Sequence, residues 1–365
     1  MIVNGYKIEP GADLRGADLS CANLQCAILT GADLSGANLY SANLLRANLQ
    51  GANLRDADLR GADLYGANLE GANLEGACLR TASLRTARLT GAFLESADLS
   101  HTSCQKAVFT SASLSNADLS NANLREANFC SADLYTANLT ATLLKDAKLI
   151  DANLAHANLD DANLSFSNLE NASLSNATLC GAVLKHANLR AANLCGANLF
   201  DATLSNAELE AARFRSANLS HANLEFAILE GADFTDADLT GTNFDLAILD
   251  GADLSDTLML DTKITKRQVE SADRSRVPAA RRALIKTLLS DIDFKIDVEV
   301  KETTENRDKI IARLEQLSSD VANLAGISKE DTPAKTVLAA IETSSLTPEI
   351  MELVSDAVLD CADMD

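Results

Sequence analysis

Every fifth residue from Leu14 to Ile264 is apolar, through 51 successive units with no insertion or deletion. Leu fills this position in 43 units, and Cys104, Phe109, Phe129, Phe214, Phe234, Phe244, Met259 and Ile264 fill the others, so the position is selected for burial. Two residues earlier stands Ala in 45 units and Thr or Ser in the rest, so the second constant position admits only small side chains. A period of five fits neither a helix, with about 3.6 residues per turn, nor a strand, with a repeat of about 2. Ala and Leu lie two apart, so both point to one side of a short extended segment. The next Ala comes three residues after the Leu, and it points inward only if the chain turns in the gap. The gap is rich in Gly, Ser, Asn, Asp and Thr, which tolerate turns. Each unit is therefore a short strand plus a corner, and the chain coils around its own Leu side chains. Self-similarity of this length predicts a β-solenoid with coils stacked on one another.

Phe109 and Phe129 are 20 residues apart, as are Phe214 and Phe234. Stacking of each pair would favour four units per coil, hence four sides, over three. The expected core runs through Leu14, Leu19, Leu24 and Leu54 to Phe109, Phe129, Phe214, Phe234 and Phe244. Asp or Asn stands between the Ala and the Leu in 31 units, and 15 of the 17 Gly lie three residues before the Leu, so both belong to the repeat rather than to a separate motif.

The run GADLSGANLYSANLLRANLQGANLRDADL, residues 31–59, resembles the pentapeptide repeat family. That family's motif is a small residue, Asp or Asn, Leu or Phe, then two polar or small residues. The resemblance covers residues 11–264 and implies a right-handed quadrilateral β-helix of about 12–13 coils. At about 4.8 Å per coil the rod is about 60 Å long. The opening GYKIEPGADLRGADL is similar to the starts of cyanobacterial members.

Three regions follow. Residues 1–10, with Ile2, Tyr6 and Ile8, are expected to cap the first coil; residues 11–264 form the β-helix; residues 265–365 form a small, mostly helical C-terminal domain. In the last region TKRQVESADRSR reads as helical, and VPAARRALIKTLLSD reads as a helix with Pro278 near its first turn. Alternation of Phe294, Ile296, Val298 and Val300 predicts a short strand over 293–301. A helix N-capped by Thr304 carries Ile310, Leu314, Leu317, Val321 and Leu324 at heptad spacing, and Gly326 stops it. This seam packs inside a small bundle or joins copies into a homo-oligomer. Two further segments open with Thr332-Pro333 and Thr347-Pro348, an N-cap and first-turn pair. About a hundred residues exceed the needs of a cap, so a second module that docks the rod to something is expected.

The charge is −21, with 52 acidic and 31 basic side chains. Residues 1–264 hold 32 acidic and 17 basic residues, so the rod itself is acidic. Binding nucleic acid by neutralising phosphates requires clustered Lys and Arg and is not expected. The chain has no Trp and few aromatics, which disfavours base stacking. The first ten residues lack the basic and apolar regions of a signal peptide, and no stretch approaches the ~20 apolar residues of a membrane span. Cytoplasmic location is expected, or a virion if a phage encodes the chain. The eight Cys contain no C-x-x-C and fit a reducing compartment. His101, His156, His186 and His221 form no pair with metal-ligand or acid–base spacing, and no phosphate-binding loop is present. No catalytic residue, metal or cofactor is expected.

On a 20-residue coil, Arg85, Arg125, Lys145 and Lys185 share one line, which continues into Glu225 and Asp245. Glu70, Glu170, Glu210, Glu230 and Asp250 share another, interrupted by Arg190. Such rows are either solvated surface or an electrostatic docking strip. The expected function is a non-enzymatic scaffold, a rigid rod that positions a C-terminal docking or oligomerisation module for a protein partner. A variant is a structural appendage of a virus or phage. The family resemblance implies an alternative, because some members are acidic rods that mimic DNA and bind type II topoisomerases. Against that reading stand the missing inserted loop, the basic row and the longer C-terminal region.

Overall fold

The computed structural model describes residues 1–272. The expected strand over 293–301, the helices opening near Pro278 and Thr304, the two Thr-Pro segments and the Ile310–Leu324 seam lie outside the described residues.

Asp13 bridges Asp33 in parallel, Asp18 bridges Asn38, and the ladder continues at every fifth residue to Asn243 with Lys263. Every bridge joins residues 20 apart, so four units close one coil and the solenoid has four sides. Each side carries one bridge, because the chain turns again before a longer strand can form.

The backbone N–H groups account for all five residues of a unit. At the first corner Ala17 donates to Leu14 O at 3.0 Å, closing a β-turn over Arg15 and Gly16. Three more N–H groups join neighbouring coils: Leu14 to Asp33 O (2.7 Å), Gly16 to Ser35 O (2.9 Å) and Asp33 to Ala12 O (2.9 Å). The fifth N–H follows the Leu, and the Asp or Asn side chain two residues before it accepts it. Ser20 N–H thus donates to Asp18 Oδ1 at 3.2 Å, and Leu45 N–H to Asn43 Oδ1 at 3.1 Å. Asp and Asn recur because a short side-chain acceptor can satisfy this donor locally.

The corner also explains the glycine phase. Its second residue must take the left-handed φ of a type II-like turn. Gly16 sits at φ 62°, and so do residues without that freedom: Thr81 at 62°, Phe166 at 61° and Leu246 at 56°. The whole phase from Gly11 to Asp261 is left-handed, so Gly relieves a demand that every unit makes.

The nine predicted core residues are buried; Leu14 is 2% exposed and the other eight 0%. Phe109 and Phe129 stack with centroids 4.6 Å apart, and Phe214 and Phe234 at 4.8 Å. Phe244 meets Phe234 edge-on at 6.0 Å. Where Thr or Ser replaces the inward Ala, its hydroxyl is satisfied: Thr142 donates to Leu139 O at 2.7 Å and Ser167 to Leu164 O at 2.6 Å.

Both ends of the described ladder are covered. β1 (Ile2–Val3) and β2 (Tyr6–Lys7) form an antiparallel hairpin around Asn4 and Gly5, both at positive φ as in a type I′ turn. Ile8 is buried, Val3 and Tyr6 pack against the core, and Ile2 is 76% exposed. Ile2 therefore does not share the covering expected of it, because strand alternation turns it outward. At the far end α1 (Lys266–Ser271) starts in a capping box between Thr265 and Gln268. Gln268 Nε2 donates to Phe244 O at 2.7 Å and to Ala247 O at 2.9 Å, so one amide satisfies two carbonyls of an open coil edge. Among the described residues no helix is long and apolar enough to cross a membrane.

Candidate interaction surface

The ladder places every twentieth residue in one row, so a surface is read in columns. Arg85, Arg125, Lys145 and Lys185 are all exposed and lie on one corner line. None of the four joins an ion pair among the described residues. Aromatic rings stand beside two of them instead. The Arg85 guanidinium lies 5.9 Å from the Tyr65 centroid, and Lys145 Nζ lies 5.3 Å from the Phe166 centroid. Phe166 in turn stacks on His186 at 4.8 Å. Acidic groups on the adjoining line are Glu126 and Asp146, and Glu126 is held by Lys106 at 3.3 Å. The basic row spans five coil steps, about 24 Å at about 4.8 Å each.

The acidic row is less uniform than its sequence spacing suggests. Arg190 reaches Glu210 at 2.7 Å and Glu208 at 3.4 Å, and Arg88 pairs with Glu70. The Arg190 hydrogen bond holds the Glu210 carboxyl below its ordinary value. The arginines sit within one coil step of their partners, so coil stacking converts an expected like-charge ladder into mixed clusters. Glu230 and Asp250 stay exposed.

Three histidines contact an aromatic ring on the coil before them: His156 with Tyr135 at 5.5 Å, His186 with Phe166, and His221 with Phe200 at 5.6 Å. The offsets of 20 and 21 are visible in the sequence only once each His is set against an aromatic residue rather than against another His. A second overlooked feature is apolar. Phe226 (47%), Leu246 (70%) and Ile248 (43%) are exposed on the last coils, with Ile228 half-buried beside them. Its signal was the loss of polar residues at corner and ladder positions.

Burial pushes the Cys104 thiol up to about 12, while Cys21 and Cys26 are exposed. Among the described residues no cluster of three or more His, Cys, Asp or Glu could hold a metal ion.

Several solved structures have chains similar to this one, and pentapeptide repeat proteins are among them. One is HetL, a pentapeptide repeat protein involved in heterocyst differentiation regulation from the cyanobacterium Nostoc sp. strain PCC 7120; it is 37% identical over 63% of this chain and 88% of its own, with a TM-score of 0.40. A pentapeptide repeat protein of the Arabidopsis thaliana thylakoid lumen is 30% identical over 30% of this chain and 77% of its own, with a TM-score of 0.27. QnrB1, a plasmid-mediated fluoroquinolone resistance protein, is 20% identical over 44% of this chain and 83% of its own, with a TM-score of 0.31. No curated protein matches the chain. The family described as pentapeptide repeats matches residues 10–36, 42–80, 77–116, 107–146, 144–185, 180–215 and 217–256. With that match laid over the 20-residue ladder, the chain belongs to the pentapeptide repeat family of right-handed β-helical solenoids.

Proposed function

We propose that the protein is a non-enzymatic scaffold, a stiff rod that docks a protein partner through its basic row and carries its C-terminal region at a fixed distance. The observation that carries this reading is the unbroken ladder from Asp13 to Lys263. A coil that uses its backbone N–H groups in turns and neighbouring coils has little freedom to bend, so it holds side chains in straight columns. Arg85, Arg125, Lys145 and Lys185 form such a column without carboxylate partners among the described residues, and an acidic protein face is its complement. Residues 265–365 supply a second docking or self-association module, in the cytoplasm or in a larger assembly such as a virion.

The test is capture from lysate by the full chain and by a full-length variant with all four cations changed to Glu. An acidic protein retained by the first, released by salt and lost from the second supports the reading. Equal retention by both removes the basic row from it.

The acidic balance of residues 1–264 favours a second reading, a DNA mimic that binds a type II topoisomerase. Inhibition of DNA-gyrase supercoiling by the purified chain, insensitive to the four-site variant, would favour it over docking through the basic row.

A further inference from the structure

Four apolar side chains interrupt one polar face of the last two complete coils, while Leu258 and Leu260 are exposed elsewhere on them. Phe226 and Leu246 hold corner positions, one coil apart. Ile228 and Ile248 hold ladder positions, bridged to each other in parallel, so the four form one patch. Carboxylates flank it on both edges: Glu225 and Asp245 precede it, and Glu230 and Asp250 follow it. None of these four joins an ion pair among the described residues.

The chain leaves the solenoid at this place. α1 lies across the end of the same face, with Gln268 on the carbonyls of Phe244 and Ala247. Gly251 N–H donates to Ser271 O at 2.9 Å, so Ala272 ends beside the corner that follows Asp250. The next segment is DRSRVPAARRALIKTLLSD, residues 273–291. It carries Arg274, Arg276, Arg281, Arg282 and Lys286 against Asp273 and Asp291, whereas residues 265–365 as a whole are acidic. Leu284, Ile285, Leu288 and Leu289 recur at helical spacing, with Arg282 and Lys286 beside them.

We propose that residues 277–290 of this chain dock as an amphipathic helix on the patch of Phe226, Ile228, Leu246 and Ile248, with Arg282 and Lys286 facing the flanking carboxylates. Apolar surface meets apolar surface, and the basic edge meets the acidic one. The four residues 273–276 reach up to about 13 Å, enough to reverse the chain over two coil steps. A helix of 14 residues is about 21 Å long and covers both coils of the patch. Docking there fixes the rest of the C-terminal region to the end of the rod.

The test is hydrogen exchange in the full chain. Leu246→Asn with Ile248→Asn removes the patch while leaving residues that suit both positions: Asn tolerates a positive φ, and Asn is frequent in the ladder. Slow exchange over 277–290 in the native chain is expected, accelerated about tenfold or more in the variant, with solenoid amides unchanged. Glu230→Lys with Asp250→Lys should also accelerate it, and Arg282→Glu with Lys286→Glu on that background should restore it. Free exchange over 277–290 in the native chain overturns the proposal, as does protection that neither patch variant changes. Protection that grows with protein concentration, together with a dimer in sedimentation, would assign the patch to a second copy and overturn it too.

Discussion

Asn153 Nδ2 donates to Asp133 Oδ1 at 2.8 Å, one coil away. The same oxygen accepts Tyr135 N–H at 3.2 Å, and Oδ2 accepts the Ser115 hydroxyl at 2.8 Å. One carboxylate therefore closes its own corner and ties two neighbouring coils. Asn suits the position above it because the amide both accepts and donates. Where Asp stacks on Asp at the start of the rod, Arg15 reaches Asp13 at 2.7 Å and Asp33 at 3.9 Å. Asn153→Asp should therefore destabilise the rod by about 1 kcal/mol at neutral pH, through a lost hydrogen bond and a like-charge contact. Urea melts of the two proteins at pH 7 and pH 3 check this; the gap should narrow at the lower pH as the carboxylates protonate.

The corner phase yields a second expectation. Ala191 and Ala211 are exposed at φ 54° and 56°. A left-handed non-Gly residue costs about 1–2 kcal/mol, and Gly loses about 0.5–1 kcal/mol more than Ala on folding. Ala191→Gly should therefore stabilise by about 0.5 kcal/mol, the reverse of its effect in a helix. Gly→Ala should destabilise, and unequally. A Cβ on Gly51 meets open space, whereas one on Gly241 lies 2.6 Å from His221 Nδ1. Gly241→Ala should cost more than Gly51→Ala, measured as shifts in melting temperature.

The five-residue period made the inward Leu and Ala legible, because burial acts on side chains that appear directly as letters. The reason for Asp and Asn was not legible, since it depends on one leftover N–H per unit that only a backbone count reveals. Charge rows were legible as spacings, but Arg190 reaching both Glu208 and Glu210 depends on side-chain length across a coil step. The patch at Phe226 and Leu246 does not stand out in the sequence, because its residues occupy regular positions in the repeat and differ only in polarity.

The inward Ala should tolerate enlargement poorly. Ala132 is 1% exposed in the middle of the rod, with coils stacked on both sides. Leu at this point must displace two packed neighbours in a coil that cannot widen without breaking its ladder, at about 3 kcal/mol. Leu14 lies in the first coil, where the hairpin can settle into the space left by Leu14→Ala, at about 2 kcal/mol. Ala132→Leu should therefore lower the melting temperature more than Leu14→Ala, and equal shifts would contradict this packing account.

Acid should unfold the rod through the same carboxylates that order its corners. The Arg15 hydrogen bond holds Asp13 at about 2, Arg60 holds Asp58 below its ordinary value, and hydrogen bonding from Ser20 and Ser35 does so for Asp18 and Asp33. A carboxyl with a lower pKa folded than unfolded adds stability above its unfolded value and loses it as pH falls through the folded one. For these aspartates the unfolded value is 3.8, so the melting temperature should stay level down to about pH 5 and fall between about 4 and 2. Asp33→Asn separates charge from geometry. Its amide oxygen can still accept Ser35 N–H and Asn53 Nδ2, now at 3.1 and 3.0 Å, but it does not titrate. The variant should melt below the native chain at pH 7, because it lacks the charge that the Ser35 hydrogen bond and Arg15 favour, and the gap should narrow as the pH falls to 3. Circular dichroism melts across this range check it, and a level profile in the native chain would mean that the corner carboxylates bind protons equally in the folded and unfolded states.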